Sequence, residues 1–186
     1  MAENRHPNAT KVLAVAKKHV DEGYVEGGDN LTIMGQWYGL QGQPWCAMFV
    51  SWCFDKAGLI HLVQAQSKKG FASCDAGLKY FTKKNMTIPV GQAQPGDIVF
   101  FQFDDDAQPD HVGLVYSNDG KGTLICFEGN TSPDGGKGSQ SNGGGAYKKK
   151  RSYSLVMAVV RPNWDAPIPA PVPAKPKVAK PAAPKK

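Results

Sequence analysis

The apolar positions of this chain change their spacing at about residue 95. Before that point they recur at intervals of three and four residues, which is typical of helices that bury at least one face. The predicted helices cover residues 11–20, 44–57 and 74–84. Beyond it, short runs rich in valine, isoleucine and phenylalanine predict strands at residues 97–103, 111–116, 123–127 and 153–160. Helices followed by strands indicate an α+β fold.

The ends of the first and third predicted helices carry ordinary capping signals. Asn8 is expected to cap the first helix, and Gly23 is expected to end it. Ser73 is expected to cap the third helix, which would bury Phe81. His19 lies in the last turn of the first helix, where the helix dipole favours a cation, and we interpret it as a surface histidine.

The second predicted helix is apolar nearly all round, so we expect it to be buried. Pro44 marks its start and Gly58 its end. Cys46 falls in the first turn, where unpaired backbone N–H groups and the helix dipole favour a thiolate over a thiol. Most cysteines on such a helix are inert core residues, so a reactive role for Cys46 needs support from elsewhere in the chain.

The segments between these elements differ in composition. Residues 118–120 (Asn-Asp-Gly) are a strong turn signal and predict an antiparallel hairpin between the second and third strands. Residues 24–43 are rich in glycine and polar residues, and the end of this stretch, residues 39–44, is expected to form an ordered loop that leads into the cysteine helix. Residues 132–146 are rich in glycine and are expected to form a mobile loop that serves as a lid or contacts substrate. The acidic run 104–106 and the basic run 148–151 are interpreted as solvated turns or edges.

Composition divides the 186 residues into one domain at residues 1–164 and a tail at residues 165–186. The tail is rich in proline, alanine and lysine and is expected to be a disordered linker. It carries a net charge of +4 of the chain's +6, which leaves the domain near neutrality. A domain with so little positive charge is not expected to bind nucleic acid.

The four cysteines, at positions 46, 53, 74 and 126, form no CxxC pair. We therefore expect no zinc ribbon, no thioredoxin motif and no cofactor, and Cys74 is interpreted as structural. No apolar run resembles a secretion signal or a membrane span, so the sequence predicts no membrane insertion and synthesis in a reducing cytoplasm.

A reactive thiol needs a base, and the base needs an acceptor that orients it. His111 lies at the start of a predicted strand, where a rigid backbone could hold a site histidine. Glu128 follows the next strand, and a hairpin could bring the two side by side. Asn130 lies two residues further on. Taken alone, His111 could equally be structural, and Glu128 with Asn130 could simply serve a turn.

Four segments in a fixed order carry a more specific signal: residues 45–52 around the cysteine, 95–100 (Pro-Gly-Asp-Ile-Val-Phe), 111–115 from the histidine, and 128–131 (Glu-Gly-Asn-Thr). With them, residues 8–164 resemble a CHAP domain, the cysteine- and histidine-dependent amidohydrolase/peptidase family of cell-wall enzymes. The resemblance implies a papain-like α+β fold, with the cysteine helix packed on an antiparallel sheet that carries the histidine. It also implies hydrolysis of amide bonds in peptidoglycan.

The resemblance assigns roles to individual residues. Cys46 would be the nucleophile, His111 the base and later the acid, and Glu128 the acceptor that holds the imidazole. Asn130 would be a fourth, supporting polar residue. The Cys46 backbone N–H would stabilise an oxyanion together with a side-chain donor, for which Gln43 and Gln41 are both candidates.

Calcium is not expected. Several wall-lytic relatives carry an aspartate after the cysteine and a run of aspartates before it that holds calcium. Here Ala47 follows the cysteine, and only Asp29 and Asn30 precede it in that region. The sequence therefore predicts no metal site.

The function expected from the resemblance is peptidoglycan hydrolysis by a phage endolysin, made in the host cytoplasm and acting at the cell wall. A secreted bacterial autolysin and a non-catalytic wall-binding or virion structural module are the alternatives. Both N-acetylmuramoyl-L-alanine amidases and peptidoglycan endopeptidases use this residue set, so the bond remains open. We expect a monomer whose basic tail contacts anionic wall polymers.

Overall fold

The computed structural model describes residues 5–135 and 138–170. Helices precede strands, which confirms the α+β class. The helices are α1 (Pro7–Asp21), α2 (Ile33–Tyr38), α3 (Cys46–Lys56) and α4 (Cys74–Lys83). The strands are β1 (Thr87–Ile88), β2 (Ile98–Phe101), β3 (His111–Asn118), β4 (Thr123–Thr131), β5 (Gly145–Ser152) and β6 (Val156–Val160).

The strands form one six-stranded sheet in the order β1-β6-β2-β3-β4-β5, with every neighbouring pair antiparallel. The predicted hairpin is confirmed: β3 pairs with β4, and Gly120 in the connecting turn has a φ of +67°. Its N–H donates to Oδ1 of Asn118 at 2.9 Å, which closes the turn. The hairpin places the start of β3 beside the end of β4.

Helix α3 is the central helix, as its sequence predicts. It begins at Cys46 and is followed by Gly58 with a φ of +74°. The helix packs on β3 and β4. It lies so close to β4 that a Cβ on Gly129 would come within 2.5 Å of the Trp45 ring and 2.6 Å of Phe49. Only glycine fits there, and this close contact brings the start of α3 against the strand that carries Glu128.

The other long helices agree with the predictions in part. Helix α4 begins where expected, with Oγ of Ser73 accepting a hydrogen bond from the Ala76 N–H. The predicted cap of α1 is wrong. The cap is His6, whose Nδ1 accepts from the Asn8 N–H at 3.1 Å, because Pro7 already occupies the first turn.

The interpretation of His19 as a surface residue is also wrong. Its ring is half-buried, and Nε2 accepts a hydrogen bond from the Trp52 indole at 3.0 Å. Burial lowers the pKa of His19, so the packing of α1 against α3 keeps the imidazole neutral.

The basic run 148–151 is not a solvated loop. It lies in the second half of β5, an edge strand that the sequence did not predict, and Lys149 and Arg151 are buried. Lys149 donates to the carbonyl of Ser132 and lies 2.7 Å from the Asp134 carboxylate. These buried cations are paired, which is why they can lie inside the fold.

The glycine-rich stretch is better anchored than its composition predicts. The Gly143 N–H donates to the carbonyl of Asn130 at 2.9 Å, and the Gln140 carbonyl accepts from Thr131 Oγ1 at 2.9 Å. The acidic run 104–106 is exposed, as predicted.

The predicted domain boundary at residue 164 stays a prediction. His61 donates to the carbonyl of Ala166 at 3.2 Å, so the chain still contacts the domain just past that point. Residues 171–186, most of the predicted tail, lie outside the described residues. Within the described ranges, no helix has both the length and the apolar character to span a bilayer.

Candidate active site

Cys46 opens α3 at the wall of a cleft of about 640 Å³ and is 4% exposed. The lining of this cleft contains the sequence-predicted Gln41 and Gln43 and also Cys74, Asp75 and Asp110. The thiol is therefore placed where a substrate could reach it, although most of the helix is buried.

His111 and Glu128 are brought together by the β3–β4 hairpin. Nε2 of His111 lies 3.0 Å from Oε2 of Glu128, and both side chains are fully buried. Gly113 makes room for the carboxylate, since a Cβ at that position would lie 2.7 Å from Glu128 Cγ. The rings of Phe101 and Phe103 flank the imidazole, with centroids 6.1 and 5.9 Å away.

The other ring nitrogen of His111 is free for the thiol. Nδ1 is buried and makes no hydrogen bond within the described residues. Since Nε2 is engaged by Glu128, Nδ1 is the nitrogen left to interact with Cys46, whose thiol and imidazole influence each other's pKa. Hydrogen bonds between catalytic groups are often long or poorly aligned before substrate binds. The imidazole thus connects a thiol to a carboxylate.

The pKa values of the three groups are shifted in the directions that favour an ion pair. Hydrogen bonding from Cys74 lowers the pKa of Cys46 well below its usual value; burial opposes this, and the His111 imidazole lowers it further. Burial would lower the pKa of His111, but hydrogen bonds and charge from Cys46 and Glu128 raise it to about 9. Thiolate and imidazolium are therefore the favoured forms near neutral pH.

Glu128 stays ionised although it is buried. Burial would raise its pKa, but hydrogen bonds from Arg151 and His111 lower it. Nε of Arg151 donates to Oε1 of Glu128 at 2.9 Å, and Nη2 donates to Oε2. The guanidinium also lies over the Phe101 and Phe103 rings, 5.4 and 5.1 Å from their centroids. Arg151 is thus part of the site.

Arg151 could not be predicted as a site residue because its signal in the sequence is weak. It ends a run of three lysines, and a run of charges is usually solvated. The only indication is that alternate residues of a strand share a face, which would place Lys149 and Arg151 on the same face of the sheet.

Asn130 is not brought to the imidazole. Its amide lies against the side chains of Asn30 and Asn142 and the backbone N–H of Trp45. With its oxygen facing Trp45, the amide accepts from the backbone N–H at 3.1 Å and donates to Asn142 at 2.9 Å. Among the described contacts, Asn130 therefore holds the residue before Cys46, and its supporting role in catalysis stays a prediction.

The structure separates the two glutamine candidates. The Gln41 amide is committed to the backbone of Thr32: Nε2 donates to its carbonyl and Oε1 accepts from its N–H, both at 3.0 Å. The exposed Gln43 side chain makes no hydrogen bond within the described parts of the chain. Gln43 is therefore the glutamine with a free donor at the cleft.

Cys74, which the sequence indicates as structural, contacts the candidate nucleophile. It opens α4, and its Sγ lies 3.6 Å from that of Cys46. The sequence offered no signal for this contact because the two cysteines are 28 residues apart and belong to different helices.

This arrangement of helix-borne thiol, hairpin imidazole and buried carboxylate agrees with a family match. The model of the CHAP domain matches residues 37–130, just over half of the chain. The chain belongs to the CHAP domain family. The matched range contains the thiol, the imidazole, the carboxylate and Asn130. Membership indicates a cysteine peptidase or amidase activity in general.

The fold of this CHAP domain is α+β, with the cysteine helix packed on an antiparallel sheet that carries the histidine, as predicted. Among solved structures, it is similar to an NLP/P60 family lipoprotein from Staphylococcus aureus, with 17% identity and a TM-score of 0.44. The match covers 86% of this chain and 43% of that one, so the chain spans less than half the length of that protein. No curated protein matches the chain.

The loop before the cysteine does not fit the calcium site found in some CHAP domains. Its inward carboxylate, Glu26, accepts from the Trp45 indole at 2.8 Å and from the Asn30 N–H at 3.2 Å. Asp29 is exposed. No group of three or more metal-binding side chains is assembled within residues 5–135 and 138–170.

Proposed function

We propose that this CHAP domain hydrolyses amide bonds of bacterial peptidoglycan with Cys46 as the nucleophile, His111 as the base and Glu128 as the residue that orients the imidazole. One observation carries the proposal: a single buried imidazole hydrogen-bonds the carboxylate through Nε2 and leaves Nδ1 for the thiol. This is the arrangement that thiol catalysis requires.

In the first half of the reaction the Cys46 thiolate attacks the amide carbonyl carbon. The His111 imidazolium then gives its Nδ1 proton to the leaving amine, the C–N bond breaks and an acyl-enzyme remains. Glu128 stabilises the imidazolium and fixes the ring so that Nδ1 faces the sulfur. Arg151 keeps Glu128 ionised and prevents its rotation through two donors.

The oxyanion of each tetrahedral intermediate needs donors at the helix start. The Cys46 backbone N–H lies in the first turn of α3, where it has no partner within the helix. Gln43 is the proposed side-chain donor because its amide is not committed elsewhere. In other enzymes, removal of one such donor costs on the order of 2.7–4 kcal/mol of transition-state stabilisation.

In the second half, water attacks the thioester. Neutral His111 takes a proton from the water at Nδ1, the C–S bond breaks and the Cys46 thiolate is restored with a protonated imidazole. The apolar rings of Phe101 and Phe103 limit the access of other water to the imidazole and strengthen its interaction with Glu128.

Digestion of purified cell walls followed by mass spectrometry of the products tests this function. A glycan with a free lactyl end and a new alanine amine would show an amidase, and split peptides on intact glycan would show an endopeptidase. Either product set should vanish in Cys46→Ala. Binding to insoluble walls without released peptides or amines would favour a non-catalytic module and contradict the proposal.

The finer proposal is that hydrolysis is lytic, as in a phage endolysin. The net charge of +6 favours capture by the anionic polymers of the wall. Bacteria that express the chain should lyse when their inner membrane is opened with chloroform, and cells that express Cys46→Ala should not. Retained turbidity despite active digestion of purified walls would contradict the lytic role and leave the hydrolase intact.

A further inference from the structure

Two thiols meet at the cleft. Sγ of Cys46 lies 3.6 Å from Sγ of Cys74, and each cysteine is the first residue of its helix. Both residues line the cleft, and Cys74 is only partly buried, so a small solute can reach the pair. The remaining cysteines, Cys53 and Cys126, are fully buried.

We propose that Cys74 is a resolving cysteine for Cys46, so that a hydroperoxide entering the cleft converts the pair into a disulfide that stops hydrolysis until a dithiol reductant reopens it. The inhibition rests on the proposed function, because it removes the proposed nucleophile. The thiol chemistry itself does not depend on that function.

The geometry permits the bond. Sulfur atoms lie about 2.0 Å apart in a disulfide, so the pair must approach by roughly 1.6 Å. Cys74 stands at the end of α4 that borders the cleft, and Ser73 caps this end through its side chain. A small shift of the first turn of α4 toward the start of α3 brings the two sulfurs within bonding distance.

The first step is oxidation of Cys46. Its pKa is held low by the hydrogen bond from Cys74 and by His111, so the thiolate is present near neutral pH. The thiolate attacks one peroxide oxygen, the O–O bond breaks, and the departing hydroxide takes the proton of the His111 imidazolium to form water. Cys46 is left as a sulfenic acid.

The second step is resolution by Cys74. Its pKa is raised chiefly by its hydrogen bond to Cys46, and also by burial and the negative charges of Cys46 and Asp110. The neutral sulfenic acid no longer carries the Cys46 charge, so Cys74 ionises more readily once Cys46 is oxidised. The Cys74 sulfur attacks the Cys46 sulfur, the S–O bond breaks, and hydroxide leaves with the Cys74 proton as water.

The overall reaction consumes two thiols and one hydroperoxide and yields one disulfide. The first step releases water or an alcohol from the hydroperoxide, and the second step releases water. Resolution protects Cys46, because a sulfenic acid that is not captured can be oxidised further to a sulfinic acid that dithiols do not reduce.

The test treats the reduced full chain with hydrogen peroxide, denatures it, blocks free thiols with a maleimide and maps the peptides by mass spectrometry. Two of the four cysteines should escape the maleimide, and the linked peptides should contain Cys46 and Cys74. Hydrolysis of cell walls should be lost with the same time course and should return with dithiothreitol. Cys53→Ala is the matched control and should behave like the wild type.

Cys74→Ser should form no link. Peroxide should convert its Cys46 to sulfenic acid, which dimedone traps, and then to sulfinic acid, so that dithiothreitol no longer restores activity. Four free thiols after peroxide treatment of the wild type, or a link through Cys53 or Cys126, would overturn the inference. This mapping needs no turnover: a protein that forms the link but hydrolyses nothing even when reduced would overturn the proposed function and not the disulfide.

Discussion

The two cysteines of α3 lie seven residues apart on one face of the same buried helix, yet their chemistry is opposite. Cys46 meets Cys74 and His111, which lower the pKa of its thiol. Cys53 is fully buried, and burial raises the pKa of its thiol. Burial on a helix therefore makes a cysteine inert by default, and polar partners from other elements lower the pKa of the Cys46 thiol.

The largest expected difference between the two cysteines is in turnover. Cys46→Ala should lower kcat/KM for cell-wall peptides by about 10⁴-fold or more, because removal of a nucleophile leaves only binding and oxyanion stabilisation. Release of amines or peptides from purified walls measures this. Cys53→Ala is the control and should keep its kcat/KM. Equal losses in both variants would mean that α3 contributes structure alone.

Substitution of Glu128 tests whether a charge on the sheet distinguishes Cys46 from Cys53. Glu128→Gln should lower kcat/KM by about 10²–10⁴-fold. The ion pair requires protonated His111, so wild-type activity should fall as the pH rises through about 9, the pKa of His111. Removal of the carboxylate lowers that pKa, so the alkaline limb of the kcat/KM profile should move to lower pH.

Asn130→Ala is the matched variant on the same strand. Because Asn130 contacts Trp45 and not the imidazole, its loss should lower the plateau of kcat/KM and leave both limbs of the pH profile in place. A shifted limb in Asn130→Ala with an unshifted limb in Glu128→Gln would reverse the two roles.

The glutamines before α3 test whether the reactive end of the helix also stabilises the oxyanion. Gln43→Ala should lower kcat by about 10²–10³-fold, the effect of losing one oxyanion donor. Gln41→Ala removes an amide bonded to Thr32 and should act mainly on stability. Steady-state kinetics and thermal unfolding of both variants measure this, and a kcat loss confined to Gln41→Ala would exchange their assignments.

The smallest expected effect is at the inert end of the helix. Cys53→Ala should lower the free energy of unfolding by about 1 kcal/mol, because it removes a buried sulfur and leaves a small cavity. Urea unfolding followed by circular dichroism measures this. A variant as stable as the wild type would show that the surrounding side chains close the gap.

The sequence was most informative where the signal is local. Pro44 and Gly58 bracket α3 through backbone preferences that act within a few residues, and the turn at residues 118–120 defines the β3–β4 hairpin in the same way. The pairing of His111 with Glu128 could be anticipated because one hairpin connects them. These features depend on short-range geometry, which the order of residue types encodes directly.

Contacts between distant parts of the chain needed the fold. Arg151 follows a lysine run that predicts a solvated edge. Only its ion pair with the buried Glu128 explains why its side chain is buried. Asn130 could not be assigned to Trp45, nor Cys74 to Cys46, since each pair joins elements that meet only after α3 packs on the sheet.

The sequence by itself thus determined the α+β class, the candidate nucleophile at the start of α3 and the residues expected around it. Only the tertiary structure decided which polar groups meet: that Glu128 is held by Arg151, that Asn130 anchors Trp45, and that Cys74 touches the thiol. The physical reason is that backbone preferences act over a few residues, whereas the pKa of Cys46 depends on Cys74 and His111, which only packing brings to it from far along the chain.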